Sequence, residues 1–345
     1  MTRKLSDEMV QRMIRSIRPG WTVRENTPIT SGTDAVSFLT VETETGDREF
    51  VLKVCTAVPS EDFRPEPYVL SLLEAGTSVP VPHVIDAVDT HADLPAPFFL
   101  MERCEGVLAD DADLTPEMHE RMARDAGRFA GSYHALSDFE RFGYVRLDCD
   151  RSNSRGDVVV DGRTLAVADD AARSWRAFLE DLYEGRIDDL DDEFADLRSD
   201  LEAFVETRLD TLDRSFDPVL GHIDYKPWNV LIRPETGETA AVLDWAHAST
   251  MAPYYDLILA EEHLGRWAPL DADRRKRVRT ALAEGYAETN ELERDSRFEE
   301  RRELYLAVAR LQPLVWFSEW TEGVPTGERR RQAAEHRKFV EDLLA

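Results

Sequence analysis

Residues 221–230 read GHIDYKPWNV, and residues 240–248 read AAVLDWAHA. The first run sets a histidine, an acid, a lysine and an amide close together: His222, Asp224, Lys226 and Asn229. The second places Asp244 at the end of an apolar run. Val219 to Ile223, Val230 to Ile232 and Ala240 to Leu243 are apolar, and Pro234 to Gly237 supplies a turn. The pattern predicts a small β-hairpin that displays polar residues at its ends. Two carboxylates bracketing an amide suit phosphoryl transfer from a nucleotide. One acid can orient a hydroxyl and accept its proton, while the other groups supply oxygen ligands for magnesium on the phosphates.

Upstream of this hairpin, Trp21 to Ile29, Val36 to Thr43 and EFVLKVC form a predicted three-strand meander, with Lys53 on the third strand. PEPYVLSLLEA places Val69, Leu70, Leu72 and Leu73 at helical spacing before Gly76, and VPVPHVIDAVDT and APFFLMERC supply two more strands. An amphipathic helix precedes them in MTRKLSDEMVQRMIRSIRPG. From about Leu114 long helical patterns take over: Pro116 to Ser137, Arg173 to Leu182, Asp196 to Leu212, Ala272 to Asn290, Arg297 to Trp320 and Glu328 to Leu344. The expected class is α+β, with a small antiparallel lobe over residues 1–103 and a larger, mainly helical lobe over 104–345.

A chain of 345 residues with 42% hydrophobic content can bury the core that two lobes need. Its formal charge of -27 is spread along the whole sequence, which argues against nucleic acid as a partner. Lysine is scarce beside arginine, a balance expected of a cytosolic protein kept hydrated in concentrated salt. On that hypothesis, folding stability rises steeply with KCl; equal stability in dilute buffer would remove the halophilic reading. Cys55, Cys104 and Cys149 have no metal-type spacing and suit a reducing compartment. No apolar run approaches membrane-spanning length, so a soluble, cytoplasmic protein is expected.

The order His222-x-Asp224-x-Lys226-Pro227-x-Asn229, followed by Asp244, resembles the catalytic loop and metal-binding Asp of the protein-kinase-like superfamily. Nearly the whole chain is similar to the aminoglycoside phosphotransferase family, from ITSGTDAVSFLTV through FVLKV, VPVPHVIDA, FFLMERCEG and GRFAGSYHAL to GHIDYKPWNVLI and VLDWAHA. The resemblance implies a two-lobed kinase fold and an ATP- and Mg2+-dependent phosphotransferase acting on a small-molecule hydroxyl. It implies Asp224 as catalytic base or hydroxyl-orienting group, Asn229 and Asp244 as magnesium ligands, and Lys53 on the α- and β-phosphates. Glu66 would pair with Lys53, although Glu61 and Glu74 lie nearby. Backbone amides from Gly32 and Thr33 to Ala35, within SGTDAVSF, would reach phosphate oxygens. Met101, Glu102 and Cys104 would form the hinge whose backbone holds adenine. His222 and Asp256 would be scaffold. Lys226 would either neutralise the transferred phosphate or face solvent.

Between Asp244 and Asp256 lies only WAHASTMAPYY, too short for the activation segment that positions a polypeptide substrate. Peptide substrates are therefore disfavoured. The alternative is a pseudokinase that binds nucleotide as a regulatory or scaffolding module, but such proteins usually lose the base, the metal Asp or the lysine. Aminoglycosides, choline, fructosamine, homoserine and sugar-like alcohols are all phosphorylated by similar enzymes, so the resemblance leaves the acceptor open. Trp175, Tyr183, Trp316, Phe317 and Trp320 lie on the helices expected to wall its pocket. No membrane and no obligatory protein partner is implied.

Overall fold

The computed structural model describes residues 5–29, 32–136, 139–147, 158–167 and 171–345. Helix α1 (Asp7–Ile17) opens the chain, and Ser6 caps it by accepting from the Met9 amide at 3.2 Å. Its Val10, Met13, Ile14 and Ile17 make one apolar stripe at i, i+3, i+4 and i+7. That stripe packs on a five-stranded sheet of β1 (Thr22–Ile29), β2 (Ala35–Thr43), β3 (Gly46–Val54), β4 (Val84–Val88) and β5 (Phe98–Glu102). The order is β1-β2-β3-β5-β4 with every neighbour antiparallel. The predicted meander and its two added strands are thus present. Between β3 and β4 lie α2 (Ser60–Phe63) and α3 (Pro65–Gly76).

Alternation along β3 decides what points where. Phe50, Leu52 and Val54 face α1, whereas Val51 joins Phe99, Met101 and residues of α3 on the opposite face. Lys53 shares the parity of Val51, and its ammonium stands 5.9 Å from the Phe99 ring centroid.

Beyond β6 (Val107–Leu108) the chain enters α4 (Pro116–His134), then β7 (Gly143–Leu147), β8 (Val158–Val160) and β9 (Arg163–Val167). Next come α5 (Trp175–Asp188), α6 (Arg198–Glu206), β10 (Val219–Gly221), β11 (Val230–Ile232), β12 (Thr239–Val242) and β13 (Ser249–Met251). Helices α7 (Pro253–Leu264), α8 (Asp273–Tyr286), α9 (Phe298–Val315), α10 (Phe317–Trp320) and α11 (Thr326–Leu344) complete it. The expected hairpin is β11–β12, extended by β6 into a three-stranded sheet. Helices α4 and α8 touch backbone to backbone: a Cβ at Gly285 would lie 1.9 Å from the Arg124 carbonyl oxygen, so only glycine permits the approach.

Two features differ from the sequence expectation. A second five-stranded sheet, β10-β13-β7-β9-β8, stands in what the periodicity marks as helical territory. The predicted helix over Arg297 to Trp320 breaks at Trp316. Pro313 has no N–H to donate, and helix resumes where Asp191 accepts from the Ser318 amide at 3.0 Å. Trp175, Tyr183 and Phe317 are buried in the helical core, as aromatic residues at helical spacing usually are, while Trp316 and Trp320 are exposed. Cys149 lies outside the described residues.

Under the helices runs a buried ion network. Glu261 of α7 accepts from Arg275 of α8 at 2.9 Å and from Arg302 of α9 at 2.7 Å. Its neighbour Glu262 pairs with Arg275 and with Arg310, the latter at 2.6 Å. The Arg310 guanidinium also lies 3.4 Å from the Phe339 ring centroid of α11. Each carboxylate therefore has two cationic partners, which offsets the desolvation of so many charges.

Candidate active site

Lys53 arrives on β3 and Glu66 on the first turn of α3. Lys53 Nζ donates to both Glu66 oxygens, at 2.8 and 2.7 Å, and to Asp244 Oδ1 at 3.2 Å. Of the three candidate acids near this strand, Glu66 is the one that meets the lysine, and it is 1% exposed. Burial pushes the Glu66 carboxyl up to about 7, with Lys53 drawing it down and Asp244 adding to the rise. Burial works against the Lys53 ammonium, yet Asp244 and Glu66 together hold its pKa well above the ordinary value. Lys53 in turn holds Asp244 below the usual carboxylate range. The Asp244 side chain remains 45% exposed, so an external group can reach it.

The second acid stands on the loop after β10. Asp224 accepts from Asn229 Nδ2 through both its backbone oxygen and Oδ2, at 3.0 Å each, and pairs through Oδ1 with Lys226. Lys226 is buried, not solvent-facing. Its ammonium lies 5.2 Å from the Trp228 ring centroid and 5.4 Å from that of Trp320, and both indoles are about half exposed. Asn229 closes a 3-10 turn, Pro227–Asn229, that leads directly into β11.

Two buried side chains tie the acids' loops together. His222 Nδ1 accepts from the Asp224 amide at 3.2 Å, which leaves Nε2 to carry the proton and donate to the Leu243 carbonyl at 3.0 Å. Burial lowers its pKa, so the ring stays neutral, packed 4.4 Å from Trp245 centroid to centroid. Asp256 of α7 accepts from Tyr133 at 2.6 Å, from His134 at 3.2 Å and from the Ile223 amide at 3.4 Å. Burial would raise Asp256, but His134 and Tyr133 hold it below the usual range. The fixation is needed because Ile223 (φ 62°) and Asp244 (φ 61°) are both left-handed. Such a backbone costs on the order of 1–3 kcal/mol per residue, most for a β-branched one, and persists where the surroundings impose it.

The remaining sequence candidates are placed less uniformly. Gly32 has φ 98° and open space where a Cβ would stand; Thr33 follows it, and Ser31 lies outside the described residues. Asp34 accepts from the Thr56 and Ala57 amides at 2.8 and 3.0 Å, pinning this loop to the end of β3. Met101 and Glu102 belong to β5, and the Glu102 amide is already committed to the His83 carbonyl at 2.8 Å. Cys104 follows the strand, half-buried, with its thiol pushed up to about 11 by burial. His263 was not anticipated from sequence. Its ring is buried on α7, Nε2 lies 3.4 Å from Gln312, and Nδ1 has no partner among the described residues.

Among solved structures, the aminoglycoside phosphotransferase APH(4)-Ia is similar over 98% of each chain, at 15% identity and a TM-score of 0.63. A thermostable mutant of it in ternary complex with ADP and hygromycin B is similar over 97% of each chain, at 16% identity and a TM-score of 0.61. A microcompartment-associated aminopropanol kinase is similar over 97% of this chain and 95% of its own, at 19% identity and a TM-score of 0.59. These likenesses establish the two-lobed kinase-like fold. Among curated proteins none matches the sequence. No helix among the described residues is long and apolar enough to cross a membrane. The sequence matches the phosphotransferase enzyme family over residues 26–304, and the chain belongs to that family.

Proposed function

We propose that this chain moves the γ-phosphate of ATP to a hydroxyl of a small molecule, in a cleft between lobes that divide near residue 103. The observation that carries the proposal is the joining of two loops. Lys53, Glu66 and Asp244 form one cluster, Asp224, Lys226 and Asn229 another, and His222 links them through the Leu243 carbonyl. Lys53, aimed by Glu66, holds the α- and β-phosphates. Asp224 orients the acceptor hydroxyl and takes its proton as the oxygen attacks phosphorus. Gly32 and Thr33 cover the phosphates with backbone amides, and the segment Met101 to Cys104 receives the base. Complexes of similar proteins with ADP or AMP-PNP, and of another with GDP, favour a purine nucleotide, and ATP is the donor.

Asp244 and the Asn229 side-chain carbonyl are the residues that would hold Mg2+. Among the described residues no group of three His, Cys, Asp or Glu forms a self-sufficient metal cage. One accessible carboxylate with one amide oxygen is the donor set for an ion that shares its shell with phosphates and water. When bound, the ion neutralises charge on the transferred phosphoryl group. Lys226 adds a cation at the same place from the loop itself.

The exposed faces of Trp228 and Trp320 flank Lys226 and make the near wall of the acceptor site. A pseudokinase role is less well supported, because the lysine, its glutamate and Asp244 stand within contact of one another and His222 links them to the loop that carries Asp224. The test is ATP consumption over aminoglycosides, amino alcohols, sugars and amino acids in high-potassium buffer with Mg2+. At least one hydroxyl compound is expected to raise consumption well above the acceptor-free rate. A protein that binds nucleotide yet consumes none with any acceptor would return the pseudokinase reading.

A further inference from the structure

The segment between β6 and α4, the turn after α7 and the start of α8 line an open surface cavity of about 380 Å3. None of its lining residues belongs to the candidate active site. Three of them are arginines: Arg266, Arg274 and Arg277. Arg266 pairs with Asp110 at 2.9 Å and Arg277 with Glu120 at 3.1 Å, both in solvent-exposed pairs of the kind worth little. Arg274 has no carboxylate in salt-bridge range among the described residues. Its nearest polar side-chain partner is His119 Nε2, at 3.5 Å.

His119 is buried and bonds the Leu264 backbone, and its pKa falls to about 4 through burial and the neighbouring Arg274. The imidazole is therefore a neutral prop, not a counter-charge. Burial, then Arg266, then Arg277 lower the pKa of Arg274 itself, and no acid offsets them. Arg266 and Arg277 keep Asp110 and Glu120 as partners, so the positive charge left without a paired carboxylate here is that of Arg274. Asp113 is the one acid on the lining, and α4 presents its positive end there, beginning at Pro116 after the Thr115 cap. Arg266 (φ 52°) and Trp267 (φ 56°) both hold left-handed backbone in the turn that delivers the first guanidinium.

Like charges gathered around one cavity repel, and an anion placed between them recovers that cost. Guanidinium groups match phosphate oxygens in pairs, so the ligand chemistry follows from the residue type. We infer that this cavity is a second binding site, for a small phosphate-bearing anion, formed by Arg266, Arg274 and Arg277 and separate from the groups placed on ATP. Free phosphate and a phosphate ester would share these contacts.

The test is thermal unfolding with inorganic phosphate, and in a second arm with glycerol phosphate, at fixed KCl and with EDTA present. The wild type should show a saturable rise in Tm. Arg274→Gln should lose it, and Arg266→Gln, on an exposed turn, should weaken it roughly tenfold or more. Lys53→Met should keep it. No saturable rise in the wild type, or wild-type affinity retained in both arginine variants, overturns the inference. So does a response lost in Lys53→Met but kept in Arg274→Gln, which would assign the phosphate to the nucleotide site. A stronger response in the ester arm identifies an esterified ligand and supports the site. Neither ATP turnover nor an acceptor enters the measurement, so its outcome is independent of the proposed transfer reaction.

Discussion

Asp224→Asn should leave nucleotide and magnesium affinity in place and cut turnover by a factor of about 10² to 10⁴, the usual worth of a positioned proton acceptor. The substitution is nearly isosteric. The backbone carbonyl of residue 224 keeps its bond from Asn229, and the new amide oxygen can still accept from Asn229 Nδ2. What disappears is the charge that pairs with Lys226 and the basicity that receives the hydroxyl proton. Neither Lys53 nor Glu66 contacts Asp224, so their cluster should persist. Turnover and nucleotide affinity, measured separately with an acceptor the wild type uses, decide the matter. Full turnover in this variant would leave Asp224 a loop residue only.

Asp244→Asn should fail differently. Lys53 loses one of its two anionic partners, and the site loses its accessible charged oxygen. Magnesium-dependent nucleotide affinity is expected to fall about ten- to a hundredfold, consistent with about 1.5–3 kcal/mol for a hydrogen bond or ligand contact to a charged group. Turnover should fall as well. Asparagine is among the residues most tolerant of left-handed backbone, so φ 61° at this position is not a reason for unfolding. Isothermal titration with nucleotide, with and without Mg2+, is the measurement. If the two variants proved indistinguishable, with binding intact in both, the division of labour between the acids would be wrong.

Much of this arrangement was legible in the chain because it rests on short-range patterns. Period-two alternation around Val51 and Lys53 fixes which face of β3 the lysine takes, and Pro234 to Gly237 fixes the hairpin that separates the acids. Glu66 as the partner of Lys53 was legible through the family resemblance, and the packing of α3 on β3 brings the two into contact; the local pattern by itself leaves Glu61 and Glu74 equally within reach. The second sheet was overlooked although it carried a signal. VVV and RTLAV flank Asp161-Gly162, both of which have positive φ, the backbone a tight hairpin requires. Short strands embedded among strong helical periodicities are easily absorbed by them. The burial of Lys226 had no local signal at all, because Trp320 reaches it from the far end of the chain.

The buried network of Glu261, Glu262, Arg275, Arg302 and Arg310 bears on how this sequence can diverge. At the surface an arginine can drift to lysine or glutamine one position at a time, with little consequence for the fold. In the network, replacing either glutamate strands a buried guanidinium, Arg302 without Glu261 or Arg310 without Glu262, at a cost of about 3–5 kcal/mol, a large share of a domain's whole stability. A concerted exchange for apolar residues of similar volume costs far less, but its intermediates do not. Descendants of this chain are therefore held to the five residues together or must abandon them together, and the helices that carry them are inherited as a block.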